Sequence, residues 1–135
     1  MNIESKTMYT LGKKSWLVLG GHMPRLSTGF EPAFTSSDQL AILNTSPEDA
    51  ELALTIYFTK GEPVGPFEFR VKARRIRKVR FNDLIDPQAL PLAQDYACHI
   101  QSSQLVVVQF SRLNSGQREL ALLGTMAFPA DRQER

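Results

Sequence analysis

The chain has 135 residues, 42% of them hydrophobic, which suits one globular unit whose core needs no metal or disulfide to hold it. Its 16 lysines and arginines against 14 aspartates and glutamates leave a formal net charge of +2, too little to steer the whole molecule toward nucleic acid. A single cysteine, Cys98, excludes an intramolecular disulfide.

No apolar run approaches the ~20 residues of a spanning helix, and Met1 to Lys14 carries no apolar leader segment, so a reducing cytoplasmic location is expected. Residues 1–11 read as an N-terminal segment, 12–128 as the domain, and the charged residues 129–135 as a mobile tail.

Ser15 to Gly20 is the first expected strand. Within it Trp16 is expected to fill the core with its indole N–H bonded, and Gly20-Gly21 to permit a sharp turn, since neither a phosphate loop nor a helix follows. Gln39 to Leu43 is the second strand, and Ser46 to Glu51 has room for one helical turn. Leu52, Leu54, Ile56 and Phe58 then alternate with Ala53, Thr55, Tyr57 and Thr59, the clearest strand pattern in the chain. Phe67, Phe69, Val71 and Ala73 repeat it, which predicts a hairpin joined by the stiff loop Lys60 to Pro66. Between Ile76 and Val79 the apolar parity slips, predicting a bulge or corner. Asp86 to Tyr96, interrupted by Pro87 and Pro91, reads as an ordered loop. Leu105 to Arg112 and Leu120 to Phe128 complete the set. Short strands with almost no helical periodicity predict an all-β fold, a single-domain antiparallel β-sandwich.

No convergent catalytic set is evident, so an enzyme is not expected. Cys98 and His99 are neighbours whose side chains point to opposite faces of a strand, and Cys98 reads as a small buried apolar group. His22 and His99 have no ligand spacing, so neither a metal nor a cofactor is expected. Asp83 and Asp86 read as turn-forming groups ahead of Pro87. Lys72, Arg74, Arg75, Arg77, Lys78 and Arg80 concentrate positive charge between acidic clusters at Glu48 to Glu51 and Asp83 to Asp86. That run is either a solvated strand face with paired arginines or a surface for an anionic partner. It holds no aromatic residue before Phe81, so base stacking is not expected.

One long pattern is more specific. Glu62-Pro63-Val64-Gly65-Pro66-Phe67 leads into Val71, Ala73-Arg74-Arg75 and Val79-Arg80-Phe81-Asn82-Asp83-Leu84. Ile42-Leu43-Asn44 lies upstream, and Val106 to Gln109, Arg112, Leu113, Ser115 and Gln117 lie downstream. In order and spacing this resembles the small soluble sensory rhodopsin transducers of bacteria, from Gly12 to about Phe128, with Trp16, Glu31-Pro32 and Asp86-Pro87 included. The resemblance implies a β-sandwich of jelly-roll type and a four-fold ring, a homotetramer. It also implies a non-enzymatic signalling role, docking on the cytoplasmic side of a membrane photoreceptor, a microbial rhodopsin, or a related receptor. Partner or ligand contact is then expected from Arg74, Arg75, Lys78, Arg80, Asn82, Asp83, Gln109, Arg112 and Gln117.

Several positions depart from the family pattern. Lys78 and Phe110 stand where it has histidines, Asn114 and Gly116 where it has an acid and an arginine, and Ser37-Asp38 where it has a histidine and an acid. A metal site built on those imidazoles is not expected here. The alternative reading is a carbohydrate or small polar ligand-binding module, with Trp16 or Tyr57 as the stacking surface and Asn82, Asp83 and Arg112 as hydrogen-bonding groups. Regulation through DNA ranks third.

Overall fold

The computed structural model describes residues 9–22, 37–84, 94–114 and 121–130. Among them are β1 (Lys13–His22), β2 (Ser37–Asn44), β3 (Ala50–Phe58), β4 (Val64–Val71), β5 (Arg75–Arg80), β6 (Asp95–Asn114), β7 (Ala121–Met126) and β8 (Phe128–Pro129). Every pairing is antiparallel. The architecture is the expected all-β sandwich.

The 20-residue strand β6 belongs to both layers. Its first part pairs with β1 and β3, giving a layer ordered β4-β3-β6-β1-β8; its second part pairs with β2 and β7, giving a layer ordered β5-β2-β6-β7. The two layers face each other across one apolar core. Leu40 and Ile42 of β2, Leu52, Leu54 and Ile56 of β3, Phe67 and Val71 of β4, and Cys98, Ile100, Val106 and Val108 of β6 are all buried there. Period-two alternation produces this arrangement, because each strand sends every second side chain inward.

The β3–β4 hairpin forms as the alternation predicts, with Leu52 opposite Phe69 and Leu54 opposite Phe67. Trp16 is buried as expected, and its indole N–H lies 3.0 Å from both the Lys13 and Val106 carbonyl oxygens. It therefore offers no stacking surface.

Four expectations change. There is no bulge between Ile76 and Val79: β5 runs in unbroken register with β2, and Ile76 is an apolar side chain on the outer face, 60% exposed. The chain changes layers earlier, at the turn through Ala73 and Arg74, where Arg74 takes the left-handed φ of 57°. Gly20-Gly21 makes no turn but a bulge within β1, beneath the Tyr96 ring, where a Cβ on Gly21 would come within 2.3 Å of ring carbons. The segment from Ser46 is not helical. Buried Asn44 organises it instead, donating to the Glu48 carbonyl at 2.8 Å and the Val71 carbonyl at 3.0 Å while its side-chain oxygen accepts from the Ser46 N–H. Finally, β6 begins at Asp95, ten residues before the expected Leu105, so Tyr96 belongs to a strand; Pro87, Pro91 and the rest of 85–93 lie outside the described residues.

Candidate functional site

The basic run is split by strand parity. In β5, Ile76, Lys78 and Arg80 point to the outer face of their layer, in rows with β2 and β6: Lys78 beside Ala41 and Gln109, Arg80 beside Gln39 and Ser111. Arg75 and Arg77 have the inward parity of Val79, yet both are exposed, because among the described residues β5 is the last strand of its layer and the core ends there. Charges on the inward side of an edge strand are tolerated only where the opposite layer also runs out.

Arg77 fills that position. Its Nη1 donates to the Arg70 carbonyl of β4 at 2.7 Å, and its guanidinium carbon sits 5.3 Å from the centre of the Phe69 ring. A donor fork and a planar cation thus bridge the two layers at their open seam. An open groove lies on each side of Arg77. One, of about 420 Å³, is lined by Gln39, Phe67, Arg77, Lys78, Arg80 and Asp83 among others; the second, of about 430 Å³, by Arg70, Lys72, Arg75, Ile76 and Arg77. Arg70 pairs with Glu51 at 2.6 Å, an exposed contact that neutralises charge locally and adds little stability. The net character of the seam remains cationic.

Beyond β5 the chain closes a single 3-10 turn over Phe81–Asp83, with the Leu84 N–H donating to the Phe81 carbonyl at 3.1 Å. Phe81 plugs the core end, its ring 5.2 Å from that of Tyr96 and 6.3 Å from that of Phe110. The turn carries Asn82 and sets Asp83 at the rim of the first groove.

Arg112 sits elsewhere, on the inward parity of β6. Its Nε donates to Asp38 Oδ1 at 2.9 Å, and its Nη2 donates to the Gly20 carbonyl. The Tyr96 hydroxyl donates to Asp38 Oδ2 at 2.6 Å, and Asp38 is wholly buried. Burial first, and then the adjacent Asp38 charge, push the Tyr96 hydroxyl far above the ordinary tyrosine range. This buried set ties β2, both parts of β6 and the β1 bulge together. Cys98 is also buried, and burial pushes its thiol up, so it is held as an unreactive thiol.

Of the residues expected to make contacts, the structure gathers Lys78, Arg80 and Asp83 around one groove and sets Gln109 on the same outer face as Lys78. Arg75 lines the second groove, Arg74 forms the turn before β5, and Arg112 is engaged by Asp38; Gln117 lies outside the described residues. Arg77, expected only as part of the basic run, and Gln39, not singled out in the sequence, also line the first groove. A signal was available for Arg77, since an arginine at inward parity marks a sheet edge. Of the positions expected to depart from the family pattern, Phe110 is core and Lys78 is surface; Ser37 opens β2, Asn114 closes β6, and Gly116 lies outside the described residues. His99 Nε2 is 2.7 Å from Ser15 Oγ, and among the described residues no three of His, Cys, Asp and Glu converge on a metal position.

The sequence profile of the family described as Anabaena sensory rhodopsin transducer matches residues 11–129. Among solved structures, that of an Anabaena sensory rhodopsin transducer is 43% identical, with a TM-score of 0.70, over 76% of this chain and 98% of that one. The crystal structure of a Thermotoga maritima protein is 26% identical, with a TM-score of 0.76, over 88% and 96%. No curated protein matches the sequence.

Proposed function

The chain belongs to the sensory rhodopsin transducer family, a signalling family, and we propose that it is a non-enzymatic relay that docks on the cytoplasmic side of a microbial rhodopsin or related receptor. The observation that carries this reading is the cationic seam, where Lys78 and Arg80 stand out from one face while Arg75 and Arg77 fill the adjoining edge. Gln39 and Gln109 continue the outer face with groups able to donate and accept. Among the described residues no helix is long and apolar enough to cross a membrane, so in this proposal membrane contact comes through the receptor. The working assembly is a cytoplasmic homotetramer, which would repeat the seam around a ring and let several weak contacts act together.

The test is binding of the full chain to vesicles carrying the rhodopsin of its own source cells, in light and in darkness. Reversing the exposed Lys78 and the half-buried Arg80, Lys78→Glu with Arg80→Glu, should weaken binding about tenfold or more, chiefly by slowing association. Unchanged affinity in a correctly folded variant would remove the seam from the docking surface. The carbohydrate alternative has lost Trp16 to the core and Arg112 to Asp38.

A further inference from the structure

Two strand edges meet at the seam, and they are not equivalent. Among the described residues β4 pairs only with β3, and β5 only with β2. Along each, alternate N–H and C=O groups therefore point away from the sheet. The edge of β4 is blunted twice: Pro66 has no N–H to offer, and the Arg77 guanidinium takes the Arg70 carbonyl. β5 is guarded by charge alone, through Lys78 and the inward-parity Arg75 and Arg77. It contains neither Pro nor Gly, keeps an unbroken register with β2 from Arg75 to Arg80, and is exposed from Arg75 to Lys78.

A regular exposed edge is a template for another strand, and its side chains decide which strand it accepts. Here Lys78 and Arg80 flank the edge on one face, Arg75 and Arg77 on the other, and Ile76 is the exposed apolar residue between them. A second copy of β5 would set cation against cation, which disfavours self-pairing. An acidic strand would find opposite charge on both faces; of the two grooves beside Arg77, the one lined by Arg70, Lys72 and Arg75 holds no acidic residue, while the other sets Glu68 and Asp83 among its cations.

We propose that the free edge of β5 binds an extended acidic peptide segment of a partner protein by strand addition, with carboxylates on both faces of the added strand paired to Lys78, Arg80, Arg75 and Arg77. Six residues of β5 match a segment about 20 Å long. The proposal names the kind of segment the docking partner presents, and it rests on the docking reading above. A nucleic acid would use the same charges but not the row of amides, and no aromatic side chain in β5 offers its bases a stacking surface.

The test uses the full chain, isotopically labelled, titrated with a blocked peptide of about eight residues alternating glutamate with threonine, a length typical of strands. A second peptide has the same sequence with its backbone amides N-methylated, which keeps the charge and removes the donors. The first should shift the amide resonances of β5 and bind at least tenfold more tightly than the second, since only the first keeps the backbone donors that pair with the edge. The double reversal Lys78→Glu/Arg80→Glu should weaken the first peptide by a similar factor. Equal binding of the two peptides would overturn strand addition, as would binding of a thymidine oligonucleotide with no binding of either peptide, or pairing of β5 with a second copy. Peptide binding without receptor binding would defeat the receptor assignment and leave the edge intact; receptor binding without peptide binding would do the reverse.

Discussion

Asp38 shows how much one buried residue can hold. Its two carboxylate oxygens accept from Arg112 and Tyr96 among their partners, and Arg112 reaches on to the Gly20 carbonyl. Removing the acid leaves a largely buried guanidinium without its counter-charge, so Asp38→Ala should cost about 3–5 kcal/mol in urea unfolding. The double replacement Asp38→Leu/Arg112→Met should cost clearly less than the two single changes added together, because it removes the charges as a pair. Simple additivity would mean that the two groups are not coupled. Tyr96 sets a pH dependence of definite sign. The unfolded chain ionises this hydroxyl near pH 10, whereas the folded chain keeps it neutral, its value being raised by burial and Asp38. Its contribution is thus complete below pH 10 and is lost as pH rises above it. Cys98, also raised by burial, adds a loss of the same sign that begins near its ordinary value of about 9.0. Stability should be level near neutrality and fall above about pH 9. Tyr96→Phe should lower the level part by about 1–2 kcal/mol and flatten the alkaline fall; an equally steep fall in the variant would place its origin in other groups.

At the scale of elements, what was legible follows from range. The β3–β4 hairpin could be read because its pairing is local and its alternation is uninterrupted from Leu52 to Phe58 and from Phe67 to Val71. The first part of β6 is hard to read although Tyr96, Cys98 and Ile100 alternate, because Pro87 and Pro91 signal a loop just before it and Ser102 ends the apolar row. The Asp38 set was invisible for a different reason. Its partners lie 58 and 74 residues away, and no local pattern encodes such a meeting. The basic run was legible as charge but not as geometry, since only the layer change at Arg74 makes β5 an edge. One element joint gives a sharp test. Gly12 precedes β1 with a φ of +106°, and a Cβ there would lie 1.9 Å from the Val106 carbonyl oxygen, in the middle of β6. Gly12→Ala must therefore strain the backbone or push β1 off β6 beside the Trp16 indole, which is bonded to that same carbonyl. A loss of about 2 kcal/mol or more, with a shifted Trp16 fluorescence maximum, is expected. A neutral substitution would show that the start of β1 is not tightly set against β6.

For the molecule as a whole, the question is whether the proposed docking would depend on net charge or on where the charge sits. The formal net charge is only +2, so a long-range field of the entire chain gives weak steering. The seam is different, because its cations follow one another along two faces of one strand, and same-face neighbours such as Lys78 and Arg80 stand about 7 Å apart along it, within a Debye length of about 8 Å at physiological ionic strength. Two variants separate these cases. Lys78→Glu/Arg80→Glu and Lys14→Glu/Lys60→Glu each exchange two cations for two anions, and so each lowers the formal charge by four, from +2 to −2. Lys14 is exposed on β1 and Lys60 is exposed in the β3–β4 loop, while neither lines a seam groove. If location governs, the seam pair alone should lose receptor binding, by about tenfold or more at low salt, and the difference between the variants should shrink as salt is raised. If the two variants lose binding equally, the seam has no special part in recognition and only the total charge acts. Thermal unfolding of both should stay close to that of the parent chain, because exposed charges away from buried partners contribute within about 0.5 kcal/mol each. A loss of binding in the seam pair therefore reports contact with the partner and not damage to the sandwich.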